Sequence, residues 1–251
     1  MSNLIVRRPL VAMFACVLMV STVRAEPVTP GTQQARKHVT RVGRGDDARE
    51  VTLRYWLFVP KAYAEMKKVP LMLFLHGAGE RGDDLELVKK WGPPKRVANQ
   101  NDFPFLLISP QCEKGERWDA EEMASLVKHV AGAYRVDHDR MYCTGLSMGG
   151  YGTWSLLAAH PKMFAAGIPI CGGGDPASAT KISGVPLWVF HGDKDSTVPL
   201  KRSEQMVQAV KKAGGNVRLT VYAGVGHNSW SATYANPKVY KWLLSHSLKR
   251  Q

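Results

Sequence analysis

The sequence predicts an α/β protein built on a mostly parallel, twisted sheet with helices on both faces. Three observations carry this prediction. Unbroken apolar runs recur at residues 69–75, 105–108, 141–143, 165–170 and 187–190, with a mixed run at 217–222; strands buried on both faces have this composition. Stretches of helical length separate the later runs, at 120–134, 151–160, 200–213 and 236–248, and such alternation builds parallel sheets. The chain has 251 residues, enough for one domain with a full core, and no repeat, low-complexity tract or linker divides it.

Taken in order, residues 1–25 read as a secretory leader. Arg7 and Arg8 supply a positive start, residues 10–20 form an apolar run too short to span a bilayer, and Val23-Arg24-Ala25 offers a small-residue cleavage pattern. The processed chain is then expected to begin at Glu26 and to be exported, to the periplasm or beyond. Cys16 has no lipobox-like residues before it, and Arg7-Arg8 lacks the rest of a twin-arginine pattern. No later stretch is long and apolar enough to cross a membrane, so no stable membrane anchor is expected. Residues 26–37 form a polar leader, and residues 38–251 form the folded domain.

Within that domain, residues 38–42 and 51–59 alternate about a turn at 43–47, and Pro60 closes the second run. They predict a pair of antiparallel edge strands. The buried strands and their helices follow. The helix at 151–160 stops at Pro161, because proline cannot continue it. Only about fifteen residues separate the strand ending at Ile170 from the one starting near Pro186, too few for a cap or lid domain. The site is therefore expected to open to solvent.

The formal net charge is +13, and it falls by three when the leader carrying Arg7, Arg8 and Arg24 leaves. The remaining basic residues form no block and no aromatic-interleaved stripe, so no nucleic-acid partner is expected. Of the 4 cysteines, Cys112, Cys143 and Cys171 stay in the processed chain. An odd number is no disulfide framework. The predicted strand ends admit either a bridge between Cys143 and Cys171 or their burial as small apolar fillers. No metal-ligand spacing or dinucleotide-binding glycine pattern occurs, so no cofactor is expected.

Chemistry is concentrated at Gly145-Leu146-Ser147-Met148-Gly149-Gly150. The G-x-S-x-G pattern sits between a buried strand and a helix, where a tight turn lifts the Ser147 hydroxyl clear of the sheet. A serine hydroxyl attacks well only when a base takes its proton. Histidine suits that role at neutral pH, and a carboxylate must hold the imidazole in the right tautomer. Glycine-rich residues 223–226 place His227 just past a strand end, as the base. Asp195, with Asp193 two residues away, follows the next-but-one strand after the serine strand, whereas Asp175 follows the wrong one. His129, His138, His160 and His246 have duller settings, and His191 is read as fixing its own turn. The Met148 N–H and an N–H from the loop after His76-Gly77, of Ala78 or else Gly79, are the donors available to a developing oxyanion.

These motifs resemble those of the α/β-hydrolases, in particular the secreted esterases near phospholipase/carboxylesterases, feruloyl esterases and polyhydroxybutyrate depolymerases. The matching residues are His76-Gly77-Ala78-Gly79-Glu80-Arg81-Gly82-Asp83-Asp84, the Ser147 motif, His191-Gly192-Asp193-Lys194-Asp195-Ser196-Thr197-Val198-Pro199 and Gly226-His227-Asn228-Ser229-Trp230. The resemblance implies the α/β-hydrolase fold over nearly the whole processed chain and places the acid at Asp195. Catalytic Ser147, Asp195 and His227, with Met148 and Ala78 as the oxyanion hole, follow from it. Glu80 and Arg81 either rim the site or brace their loop. Gln111, Trp118 and Trp230 belong at the same end of the sheet, where ligands of open α/β sheets bind; each tryptophan either stacks on a sugar or aromatic acyl group or plugs the core.

The implied activity is hydrolysis of a carboxylic ester through an acyl-enzyme, with small-molecule or polysaccharide esters as substrates, acetyl or feruloyl groups foremost. A serine peptidase of the same fold is the alternative, although the chain lacks the propeller or cap that such peptidases use to select peptides. A non-catalytic carbohydrate-binding module is the alternative of another class, and its mark would be loss of Ser147, Asp195 or His227.

Overall fold

A computed structural model describes residues 27–43, 45–100 and 103–248. The secretory leader expected at 1–25 lies outside the described residues. Eight strands form one sheet: β1 (Gln33–Val42), β2 (Arg49–Phe58), β3 (Val69–Leu75), β4 (Leu106–Pro110), β5 (Val136–Leu146), β6 (Ala166–Ile170), β7 (Leu187–Gly192) and β8 (Val217–Tyr222), in the order β1-β2-β4-β3-β5-β6-β7-β8. β1 pairs antiparallel with β2, and β2 with β4. Every other pairing is parallel. This is the mostly parallel sheet with antiparallel edge strands that the sequence predicts. β1 starts at Gln33 rather than near His38, because its register with β2 runs unbroken from Gln33 opposite Phe58 to Val42 opposite Arg49. The second half of the expected polar leader is therefore strand.

The helices are α1 (Gly92–Asn99), α2 (Ala120–Ala133), α3 (Met148–Ala159), α4 (Ala179–Ile182), α5 (Lys201–Lys212), α6 (Trp230–Ala235) and α7 (Pro237–Leu244). β3 shows how the two faces are served. Leu71, Leu73 and Leu75 point into a core shared with α2, α3, α4 and α5, while Met72 and Phe74 point into a second core shared with α1, α6 and α7. Successive side chains of a strand face opposite ways, so a run apolar at every position is what a sheet covered on both faces requires. The chain between β6 and β7 holds α4, whose Ile182 is buried in the first core, so it packs down onto the fold instead of rising as a lid. Among the described residues no helix is long and apolar enough to cross a membrane.

Two differences from the expected helices have local causes. α1 starts Gly92-Pro93-Pro94, with proline at its first positions; proline suits a helix start because those amides lack intrahelical acceptors anyway. The single C-terminal helix expected from residue 236 is α7, preceded by the separate α6. Asn236 lies between them in an extended conformation, and its side chain accepts from the Lys238 N–H as a helix cap.

Candidate active site

The site is assembled from loops at the carboxyl ends of β3, β5, β6, β7 and β8. At the end of β5 the chain turns sharply into α3. Ser147 has φ 52° and ψ −116°, a conformation that costs a non-glycine residue about 1–3 kcal/mol and persists only when its surroundings enforce it. They do so here. The Ser147 N–H donates to Ile170 O at 3.0 Å, and Ser147 O accepts from the Tyr151 N–H at 3.1 Å. The flanking glycines are required: a Cβ at Gly145 would stand 2.3 Å from Gly149 O, and one at Gly149 would stand 1.9 Å from Leu75 O.

His227 lies in the loop after β8, with Nε2 2.9 Å from Ser147 Oγ and Nδ1 2.7 Å from Asp195 Oδ2. A carboxylate opposite Nδ1 keeps the ring hydrogen there and leaves the Nε2 lone pair for the serine O–H. Asp195 Oδ1 accepts from the Thr197 and Val198 amides, each at 2.9 Å. Burial would raise the pKa of this carboxyl. The hydrogen bond from His227, those from the Val198 and Thr197 amides and the nearby His227 charge outweigh burial and hold it below the ordinary carboxylate value. Asp193 acts elsewhere, since its Oδ1 accepts from the Gly224 N–H at 2.7 Å and braces the His227 loop. Gly192 lets that loop close in, for a Cβ there would meet Val225 O at 2.2 Å.

The donors expected for an oxyanion are first-turn amides. Met148 begins α3 directly after Ser147, and Ala78 begins a 3-10 turn, Ala78–Glu80; amides at helix starts have no intrahelical acceptor. The Ala78 loop lies against the serine turn, for a Cβ at Gly77 would stand 2.8 Å from Leu146 Cδ1 and 3.7 Å from Ser147 Cβ.

The expected substrate contacts divide differently. Glu80 is buried and does not rim the site. Its carboxylate accepts from the Gly77 N–H at 3.1 Å and props up the loop, and burial raises its pKa against the pull of that amide. Gln111 is also buried. It donates to Glu80 O and Asp84 O and accepts from Arg54, so it braces the loop. Arg81 spans two loops by donating to Ala78 O and Glu116 O, each at 3.1 Å. Trp118 is mostly buried, donates to His76 O and leaves room for no side chain at Gly152, and it also lines a cavity beside Met148. Trp230 alone of the five meets the Ser–His–Asp chain, edge-on to His227 with ring centroids 5.2 Å apart.

Three side chains, His191, His76 and Cys171, gain importance beyond the roles read from their sequence setting. His191 is fully buried, with Nε2 2.8 Å from Val198 O and 3.1 Å from Asp195 Oδ2, and Nδ1 2.8 Å from Ser203 Oγ. It therefore contacts the acid as well as its own turn. His76 donates from Nδ1 to Gly77 O, and its Nε2 accepts from the Cys112 N–H; burial lowers its pKa to about 4. Cys143 and Cys171 are both free and buried, so the bridge between them is absent. Cys171 instead brings its Sγ within 4.8 Å of ligand atoms on Asp195 and His227. Its position at the carboxyl end of β6 was the signal that could have identified it.

Relatives of the chain are recognisable both in sequence and in structure. Residues 55–240 match the model of the dienelactone hydrolase family. A solved thermostable esterase is 34% identical, with a TM-score of 0.69 over 84% of this chain and 63% of its own. NocK of Nocardia uniformis subsp. tsuyamanensis, a protein named as an esterase, is 28% identical over 198 residues, 70% of this chain and 53% of its own. A bifunctional acetylxylan esterase/xylanase of Neocallimastix patriciarum is 25% identical over 143 residues, 54% of this chain and 20% of its own. The chain thus spans about half the length of NocK, and less of the xylan-active protein.

Proposed function

The chain belongs to the dienelactone hydrolase family, and on that premise we propose that it hydrolyses carboxylic esters through a covalent acyl-Ser147 intermediate. The observation that carries this reading is the hydrogen-bonded series Ser147–His227–Asp195 at the carboxyl ends of the strands. Ser147 Oγ attacks the ester carbonyl as its proton passes to His227 Nε2. The Met148 and Ala78 amides stabilise the oxyanion. Asp195 stabilises the imidazolium, which then protonates the departing alcohol. Water, deprotonated by His227, repeats the sequence and frees the acid.

Acyl esters of carbohydrates, acetyl or feruloyl, are the substrates of this reading. Its support is the leader-like residues 1–25, which suggest export towards extracellular polymers, the lidless site, and the likeness to an acetylxylan esterase/xylanase. Trp230, beside His227, is the side chain to stack on a sugar or aryl ring.

The test is p-nitrophenyl acetate hydrolysis by the chain from Glu26 onward, with Ser147→Ala as control. A burst from the parent and a loss of about 10⁶-fold in the variant are expected; an inert parent or an equally active variant sinks the reading. Acetylated and feruloylated saccharides, against peptidyl anilides, then locate the preferred bond. N-terminal sequencing of exported protein tests cleavage after Ala25.

A further inference from the structure

Beyond the hydrolytic reading, we propose that Cys171, Asp195 and His227 form an inhibitory binding site for a thiophilic divalent cation such as Zn²⁺ or Cd²⁺. A thiol, a carboxylate and an imidazole each present one ligand atom, and these atoms lie within 4.8 Å of one another. A tetrahedral zinc site holds such atoms about 3.5 Å apart, so the His227 Nδ1–Asp195 Oδ2 pair, 2.7 Å apart, has to open by about 0.8 Å while the thiol moves in by about 1 Å. The three residues stand at the carboxyl ends of neighbouring strands, β6, β7 and β8, whose pairing fixes their convergence.

Two further observations single out Cys171. It has φ 39°, a left-handed conformation that favours glycine, and the sheet holds it there through its N–H, which donates to Phe190 O at 2.8 Å. Beside its thiol, in hydrogen-bonding reach of it, lies the buried Ser229 hydroxyl.

Charge supports a divalent ion. One thiolate and one carboxylate neutralise two positive charges, and buried charge is tolerated only when it is compensated. Sulfur and imidazole nitrogen select zinc and cadmium over magnesium and calcium. The His227 side chain is 20% exposed and gives the ion its approach from solvent.

Binding is a ligand exchange. The Cys171 S–H bond breaks, its proton leaves to water, and a metal–sulfur bond forms. The metal takes the His227 Nδ1 lone pair, and the ring hydrogen moves to Nε2. That nitrogen then has no lone pair for the Ser147 proton, so the ion blocks the chemistry without touching Ser147. Without metal, burial pushes the Cys171 thiol up to about 12, and it stays protonated beside the acid.

Two measurements test the site. Cd²⁺ titration is followed by thiolate-to-cadmium absorption in the near ultraviolet, and Zn²⁺ is titrated into p-nitrophenyl acetate hydrolysis. One Cd²⁺ per chain is expected in the parent and equally in Ser147→Ala, with the absorption lost in Cys171→Ser. The half-inhibitory Zn²⁺ concentration, measured against each variant's own metal-free rate, rises more than about 100-fold in Cys171→Ser, beyond what loss of an outer-shell partner alone costs. Cys112→Ser behaves as the parent, and Mg²⁺ has no effect. If Cys171→Ser does not fold, Cys171→Gly removes the thiol in a residue suited to this backbone. Cadmium absorption that survives loss of Cys171, no cadmium bound, or equal zinc inhibition overturns the proposal. Cadmium binding by a parent with no esterase activity would leave the site standing and sink the hydrolytic reading, on which only the inhibition measurement rests.

Discussion

Asp195 receives more hydrogen bonds than steering one imidazole requires. Two backbone amides hold Oδ1, and Oδ2 faces both His227 and His191. Asp195→Asn is expected to leave the fold intact and lower kcat about 10⁴-fold, because an amide no longer imposes the right tautomer on His227; steady-state kinetics beside a thermal melt checks both halves. His191 Nε2 faces two acceptors, Val198 O and the Asp195 carboxylate, so it carries a hydrogen, and Nδ1 lies 2.8 Å from the Ser203 hydroxyl, which donates to Gly172 O. His191→Leu leaves these groups unpaired and should cost about 1–3 kcal/mol, with a fall in kcat. His191→Gln, which restores a donor, should recover part of both, and urea midpoints in which Leu equals the parent would contradict the assignment. His76 supplies a pH signature. Burial lowers its pKa to about 4, below the unfolded value of about 6.5, so the unfolded chain binds the proton first as pH falls. Stability contributed by neutral His76 is present above about pH 6.5 and is lost progressively down to about pH 4, by about 3 kcal/mol in all. Urea midpoints across that window should fall in the parent and flatten in His76→Asn.

At the scale of the element, the turn between β5 and α3 shows why glycine is read differently by place. Gly149→Ala puts a methyl 1.9 Å from Leu75 O, a backbone atom that cannot step aside, and is expected to abolish soluble expression or destabilise by more than the roughly 1–3 kcal/mol usual for overpacking. Gly132 in α2 meets nothing within 4 Å, so Gly132→Ala should stabilise by about 0.5–1 kcal/mol through helix propensity. Denaturation of the two variants side by side is the check, and equal effects would refute the steric account. The buried strands were legible because each must be apolar on both faces. α1 was not: Gly92-Pro93-Pro94 reads as a turn by composition, and only burial of Val97 and both prolines against the second core makes it a helix. β1 was read short because Gln33, Gln34, Arg36 and Lys37 are polar, and its first half owes its structure to pairing with β2.

Across the whole molecule, the eight strands carry two cores and leave one end of the sheet for chemistry. The segment between β6 and β7 folds down through Ile182, so nothing in it covers Ser147. If the hydrolytic reading holds, kcat/KM on acetylated oligosaccharides should not fall as they lengthen; a steep fall would mean a closed site. The sequence by itself determined the α/β class, the strand–turn–helix around Ser147 and the loops holding Asp195 and His227, because strand period, glycine requirement and position after a strand are local properties of the chain. Only the tertiary structure decided between Asp193 and Asp195 on contact, since both occupy one loop and differ in whether they face Gly224 or His227. It gave Glu80, Gln111 and Trp118 bracing and packing contacts that the sequence did not show, and it brought Cys171 and His191 to Asp195. Those roles depend on which side chains meet across strands far apart in sequence, and the packing of the closed sheet sets that, not the residues on either side.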